Sequence, residues 1–427
     1  MDRRFANFFN LTEAEAIALL DTPLDQLGED ESRYVAAAHL VNFPTEAAIA
    51  ALVRAVQQTE SSLANRIVRR KSVETLGRLE AKQALPVIYH CLADEDCYTV
   101  ENAAWAIGEI GTQDPALLEA VARVLDRPGQ TYRVVIHTLA KLNYTPALER
   151  IQRFVNDPDL PTASAALTAV CRLSGDYGQM DQVVAMLHSQ NVLARRLSIQ
   201  DLMDAHYYDA IPDIARCPVS LVFRLRGIRK LAEVGREKGM SFRDLQPYLE
   251  QTLRDHPSTL NLVHSFEAVP PLSVLIQQLY ETDFGRCYLA AHTMLTHYAE
   301  AAPAALLETY AAEAYADYGA HFHVVKLMGW LQYAPAYDLL MDALRHPQPQ
   351  FQKSRAAAAI ALGELGDRRA IPDLKTCLDT QIWDLKYAAL MALEAFGDIS
   401  AHEQLAQDKD WLVAAKASAA LQTQTVG

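Results

Sequence analysis

Within the stretch "YTVENAAWAIGEIG", residues 98–111, Glu101, Asn102 and Trp105 fall on one face of what reads as a helix. Glu101 and Trp105 are four residues apart and therefore surface neighbours. A carboxylate, an amide and an indole together supply hydrogen bonding and ring contact, which is chemistry for holding a ligand. Further on, Arg195, Arg196, Arg224, Arg226 and Arg229 form a basic cluster within 35 residues of a chain whose net charge is −14. As a group they suit an anionic ligand; taken singly, each is equally served by i,i+4 pairing or by helix-end charge. Signatures of self-contained catalysis are missing from the sequence: no Gly-x-Gly-x-x-Gly, no phosphate-loop lysine and no Gly-x-Ser-x-Gly elbow. Any reaction must come from a groove that positions a reactive ligand.

The elements that would carry these residues repeat. A characteristic position after an aliphatic residue recurs at Gly77, Gly108, Ala140, Cys171, Met203 and Ala232, then at Thr296, Gly329, Gly363 and Glu394, with His264 a degraded member between. The intervals run from 29 to 34 residues, the period of short HEAT-like helix-turn-helix units. Counted back from this reference position, taken as zero, positions −1, −4 and −5 are apolar or small. Leu76, Val73 and Ser72 are followed by Ile107, Ala104 and Ala103, then by Leu139, Ile136 and Val135. That spacing makes one buried stripe per helix. Pro86, Pro146, Pro212 and Pro372 sit near the start of the other helix of their units, where a missing N–H costs nothing. The expected fold is all-α: a curved α-solenoid whose second helices line a concave groove. Residues 1–60 read as a helical cap, 61–235 as the lobe carrying the groove, 236–286 as an irregular junction and 287–427 as a C-terminal lobe.

Positions −7 and −3 share the face away from that stripe. They read Arg70/Glu74, Glu101/Trp105, Arg133/His137, Ser164/Thr168 and Arg196/Gln200, then Leu225/Arg229 and blander pairs. This column is richest in the first half of the chain. Two readings stand. Arg70, Glu101 and Arg133 alternate in sign across neighbouring repeats and would make a lateral salt ladder, with Trp105 packed on an arginine; alternatively the column faces a ligand.

The six cysteines are scattered and read as buried small hydrophobes. "YHCLADEDC" has the wrong spacing for a zinc site, so no metal is expected. The acidic balance argues against nucleic acid. No run approaches the ~18–20 apolar residues of a membrane span, and the first residues lack a secretory signal; the expectation is a cytoplasmic protein.

"YTVENAAWAIGEIG", "ARRLSIQDLMDA" and "VFRLRGIRKLAEVG" resemble the phycobilisome lyases of the E/F clan, HEAT-repeat proteins that attach linear tetrapyrroles to phycobiliproteins. The resemblance covers roughly residues 10–425 and is strongest over 60–235. "ENAAW" is its most specific part, whereas "ALGEIG"-like units are shared with many HEAT-like proteins. A single long chain is similar to the lyases that serve phycoerythrins, some of which also isomerise phycoerythrobilin to phycourobilin. Of the histidine-cysteine motif linked to isomerisation, "YHCLAD" matches only His90 and Cys91, which leaves isomerisation open.

The resemblance implies a bilin, phycoerythrobilin, as substrate rather than a resident cofactor, and a phycobiliprotein subunit as partner. It also implies roles. Arg133, Arg196, Arg224 and Arg229 would clamp propionates as planar forks, with Arg70, Asn102 and Gln200 beside them. Trp105 and Tyr132 would stack on the rings. Glu101, or failing it Asp201, would hydrogen-bond the pyrrole N–H groups, and His137 would carry a proton.

Overall fold

The computed structural model describes residues 11–28, 31–58 and 62–425. Among them every regular element is helical, so the all-α, HEAT-like expectation holds. Contacts divide the chain into two units, residues 1–182 and 183–427. The division falls inside the stretch read from the sequence as one lobe, 61–235. It follows the loop "SGDYG", where the helix Leu160–Ser174 stops on Gly175 in the left-handed conformation, φ 77°.

In unit 1 the helices Glu13–Asp21, Arg33–His39 and Glu46–Gln57 precede the repeats. The second helices of the repeats are Leu63–Arg78, Cys97–Ile110, Tyr132–Lys141 and Leu160–Ser174. Unit 2 carries the second helices Val192–Asp204, Leu221–Glu237, Phe284–His297, Tyr318–Trp330, Gln352–Leu365, Trp383–Ala395 and Trp411–Thr425. Short acidic turns start several of them. In "DED", Asp94 Oδ1 accepts from the Asp96 N–H (2.8 Å) and Asp96 caps Thr99 N (3.2 Å); "DPD" does the same through Asp157, Asp159 and Thr162. Each pair closes a turn and satisfies an orphan N–H of the helix that follows.

Three registers on the second helix then have distinct jobs. The stripe −1, −4 and −5 is buried at Leu76, Val73 and Ser72, and again at Ile107, Ala104 and Ala103. Where position zero is glycine, the next second helix approaches closely. A Cβ on Gly77 would lie 2.8 Å from Ala106 Cα, and one on Gly363 2.8 Å from Ala392 Cα. Position −8 points back into the turn between helices. There Arg69 Nε donates to Val56 O (2.9 Å), Tyr132 OH to Arg127 O (2.8 Å), Arg224 Nε to Val219 O (3.1 Å) and Arg355 Nε to Leu344 O (2.9 Å).

At the degraded repeat around His264 no helix forms: residues 261–271 are irregular, ending in Pro270 and Pro271, and His264 Nε2 contacts Asp283 Oδ2 at 2.9 Å. The preceding helix Phe242–Arg254 is regular. Of the cysteines, Cys91, Cys171, Cys217, Cys287 and Cys377 are buried and Cys97 is half-buried. Among the described residues no helix is long and apolar enough to cross a membrane.

Candidate functional site

In unit 1 the face opposite the buried stripe is built by positions −10, −7 and −3. The helix Cys97–Ile110, capped by Asp96, places Tyr98, Glu101, Asn102 and Trp105 there. Asn102 Nδ2 donates to Tyr98 O at 2.9 Å, one turn back. Trp105 is half-buried and leans on the preceding helix: a Cβ on Gly77 would meet its Cζ3 at 2.9 Å. Its indole is thus held by the same close approach that packs Gly77 against Ala106.

Arg70, on the helix Leu63–Arg78, does not pair with Glu101. It grips Asp96 through two bonds, of 2.6 and 2.5 Å, and its guanidinium lies 4.7 Å from the Tyr98 ring centroid. Burial raises the Asp96 pKa, but the bonds from Arg70 and Thr99 outweigh it and hold the carboxyl below its usual range. In unit 1 an ion pair between neighbouring second helices joins Lys141 and Glu109, at 2.8 Å and near the helix ends. Glu101 therefore takes no part in a salt ladder, and its carboxylate has no polar partner among the described residues. The next helix, Tyr132–Lys141, carries Arg133, which donates to Pro161 O at 2.6 Å, and half-buried His137.

Tyr132 is a correction. Expected to stack on a ligand ring, it sits at position −8, its hydroxyl on Arg127 O and its ring 4.6 Å from Phe154. One residue along a helix is a turn of ~100°, enough to move a side chain from the open face into the inter-helix turn. Arg224 is corrected for the same reason. It is 0% exposed, ion-paired with Asp255 and bonded to Tyr288 OH at 3.0 Å. Arg195, also at −8, is fully buried and donates to Ser189 O at 2.6 Å. The basic cluster thus loses two of its five forks to the interior.

The other expected site residues in unit 2 are engaged within the protein. Arg196 donates to Thr282 O at 2.6 Å and lies 5.4 Å from the Phe223 ring centroid. Arg229 pairs with Asp410 at 2.7 Å and lies 4.8 Å over Trp383. Gln200 donates to Asp204 Oδ1 at 2.8 Å, and Asp201 is fully buried, in the register where Thr75 and Thr138 are also buried. Tyr98 was passed over although its signal was present: at position −10 it shares the face of −7 and −3, and it is 53% exposed.

Because the face depends on the Gly77 approach, Gly77→Ala is expected to cost about 1–3 kcal/mol through overpacking against helix backbone. The Trp105 environment should shift with it. Urea unfolding followed by tryptophan emission measures both, and an unshifted emission maximum with no loss of stability would show that the helices are not in this contact.

The family described as HEAT repeats matches residues 61–133 and 348–422. The chain is 64% identical over 417 residues to a phycocyanin operon protein Y of Pseudanabaena tenuis, an alignment covering 97% of this chain and 99% of that protein. It is 31% identical over 378 residues to a bilin biosynthesis protein CpeY of a Synechococcus species, covering 86% and 90%. A phycocyanobilin lyase subunit alpha of Thermosynechococcus vestitus is 32% identical over 250 residues, covering 53% of this chain and 87% of its own length.

Proposed function

The chain belongs to the HEAT-repeat bilin lyases of the E/F type, and from that premise we propose that it binds phycoerythrobilin on the open face of unit 1 and delivers it to a cysteine of a phycoerythrin-type subunit. The observation that carries the site is the Glu101 carboxylate, which has no polar partner among the described residues and stands one turn from a half-buried indole. A helix surface that holds an acid unpaired beside an aromatic suits a conjugated ligand rich in N–H groups. Glu101 hydrogen-bonds the pyrrole N–H groups and favours the protonated bilin, Trp105 and Tyr98 meet the rings, and Arg133 takes a propionate.

Protonation makes the ring-A ethylidene a better electrophile. The acceptor's sulfur bonds to its exocyclic carbon, the double-bond electrons move into the conjugated system, and the thiol proton is returned to the bilin. Nothing leaves. His137 is assigned to move that proton, a task suited to imidazole near neutral pH. Holding the bilin extended against the incoming thiol is the chain's main contribution. Arg196, Gln200 and Arg229 stand in unit 2 and are not assigned to this face. Isomerisation to phycourobilin is read from the product: loss of one conjugated double bond moves its absorbance to the blue.

The test is co-expression of the chain with a phycoerythrobilin-synthesis pathway and a phycoerythrin subunit. The wild type should yield a zinc-fluorescent acceptor band under denaturing conditions and retain bilin itself. Glu101→Ala and Trp105→Ala should each lower retained bilin at least several-fold, while Lys409→Ala, an exposed residue of unit 2, should not. Wild-type retention by both face variants would remove the site; a colourless chain and acceptor would leave a scaffold that binds a partner protein without chemistry.

A further inference from the structure

Lys353 is the second residue of the helix Gln352–Leu365, at position −10 of its repeat. It is 4% exposed, and its Nζ is buried with no hydrogen-bond partner among the described residues. In place of acceptors it has rings. Nζ lies 3.5 Å from the Tyr318 centroid, 4.5 Å from Phe284 and 4.9 Å from Phe322.

The acids that could pair with it are committed elsewhere. Asp255 is held by Arg224 and Tyr288, and Asp317 caps Gly319 and Ala320 through their backbone N–H groups. Cys287 donates to backbone carbonyls, and burial pushes its thiol up to about 12. His321 and His323, on either side of Phe322, are fully buried and kept neutral by burial, the first lowered further by His346 and Lys353, the second by Lys353 and Lys326. Both ring nitrogens of His323 and the Ser354 hydroxyl are buried without a hydrogen-bond partner among the described residues.

An ammonium here has lost its water, and three ring faces replace only part of that hydration. Burial lowers Lys353 from a lysine's usual 10.5 to about 7, and the charges of Cys287, Asp255 and Asp317 offset this only in part. At neutral pH much of the side chain is then free amine, which is nucleophilic. The ring nearest Nζ, that of Tyr318, is itself 49% exposed, so a single side chain stands between the amine and solvent.

We propose that Lys353 is a site of reversible carbamate formation, its buried amine taking carbon dioxide that enters past Tyr318. The nitrogen lone pair bonds to the carbon of carbon dioxide, one C=O π pair moves onto oxygen, and the nitrogen gives up one proton to solvent water, leaving a carbamate anion. Nothing is oxidised or reduced. The Ser354 hydroxyl and the single N–H of a neutral His323, both without a hydrogen-bond partner among the described residues, are the donors this proposal assigns to the new carboxylate oxygens. This site is independent of the bilin reading, since all its residues lie in unit 2.

The experiment uses the full chain equilibrated with 13C-labelled carbon dioxide and bicarbonate. Carbamate is observed by 13C NMR, then trapped with a trialkyloxonium salt and located by peptide mass spectrometry. The expected result is an adduct at Lys353 several-fold above that at any other lysine. At constant dissolved carbon dioxide its yield should rise from about pH 6 to about pH 8 as free amine increases. Lys353→Met should abolish the resonance. Should that variant fail to fold, the peptide location in the wild type still decides. Adducts confined to surface lysines or the N-terminus, or no adduct at all, would overturn the proposal.

Discussion

Asp255→Ala is expected to remove about 3–5 kcal/mol from the unfolding free energy of unit 2, the cost of stranding a buried charge. Arg224 and Asp255 are both 0% exposed and form an ion pair, while Tyr288 OH donates to Asp255 Oδ2 at 2.8 Å and receives from Arg224 at 3.0 Å. Burial alone lowers the Arg224 pKa, but Asp255 and Tyr288 raise it above its usual value, so the guanidinium stays charged through the whole accessible pH range. Without the carboxylate it keeps only neutral acceptors, the carbonyls of Val219 and Ala215 and the Tyr288 hydroxyl. Asp255→Asn retains an acceptor but not the charge and should cost less. Replacing Arg224 and Asp255 together by apolar residues of similar size should recover much of the loss, because removing both charges removes the desolvation penalty with the attraction. Urea unfolding resolves the effect, provided that the transition of unit 2 is followed separately, since two units need not melt together. A loss below about 1 kcal/mol would mean that water reaches this network.

Lys353→Met should act in the opposite direction, stabilising unit 2 by about 2–4 kcal/mol near neutral pH in carbon dioxide-free buffer. The lysine titrates at 10.5 when unfolded and at about 7 when folded. Between those values the unfolded chain binds more protons, so wild-type stability rises with pH across that window. Below about pH 7 the full penalty is present; above about pH 10.5 it is gone. The shift corresponds to a ceiling of roughly 5 kcal/mol, reduced by the cation–π contacts that the substitution also deletes. The advantage of the methionine variant should therefore be greatest at and below neutrality and fade toward pH 10.5. A constant difference between pH 6 and pH 11, roughly the span that brackets the titration, would show that the amine is not desolvated.

Much of this was legible in the residues because helix periodicity is local. The recurrence at Gly77, Gly108, Gly329 and Gly363 and the stripe before it predict second helices where the structure has them, and Glu101, Asn102 and Trp105 do share one face. The arginines were harder. Arg195 and Arg196 are sequence neighbours, yet the first is fully buried and the second is not. Position −8, shared by Arg69, Tyr132 and Arg224, lies only one residue, about 100° of helix turn, from −7. Partner choice was not legible at all. Asp96, a helix cap, takes Arg70, and Glu101 is left without a polar partner among the described residues.

What the sequence by itself determined is the repeat, the stripe that each helix buries and the face that Glu101 and Trp105 share, because a helix turns by a set angle per residue whatever surrounds it. Only the tertiary structure decided which charged groups meet. Asp255 and Tyr288 close on Arg224 from far along the chain, rings rather than carboxylates surround Lys353, and such encounters depend on the packing of one repeat against another, which no local period encodes.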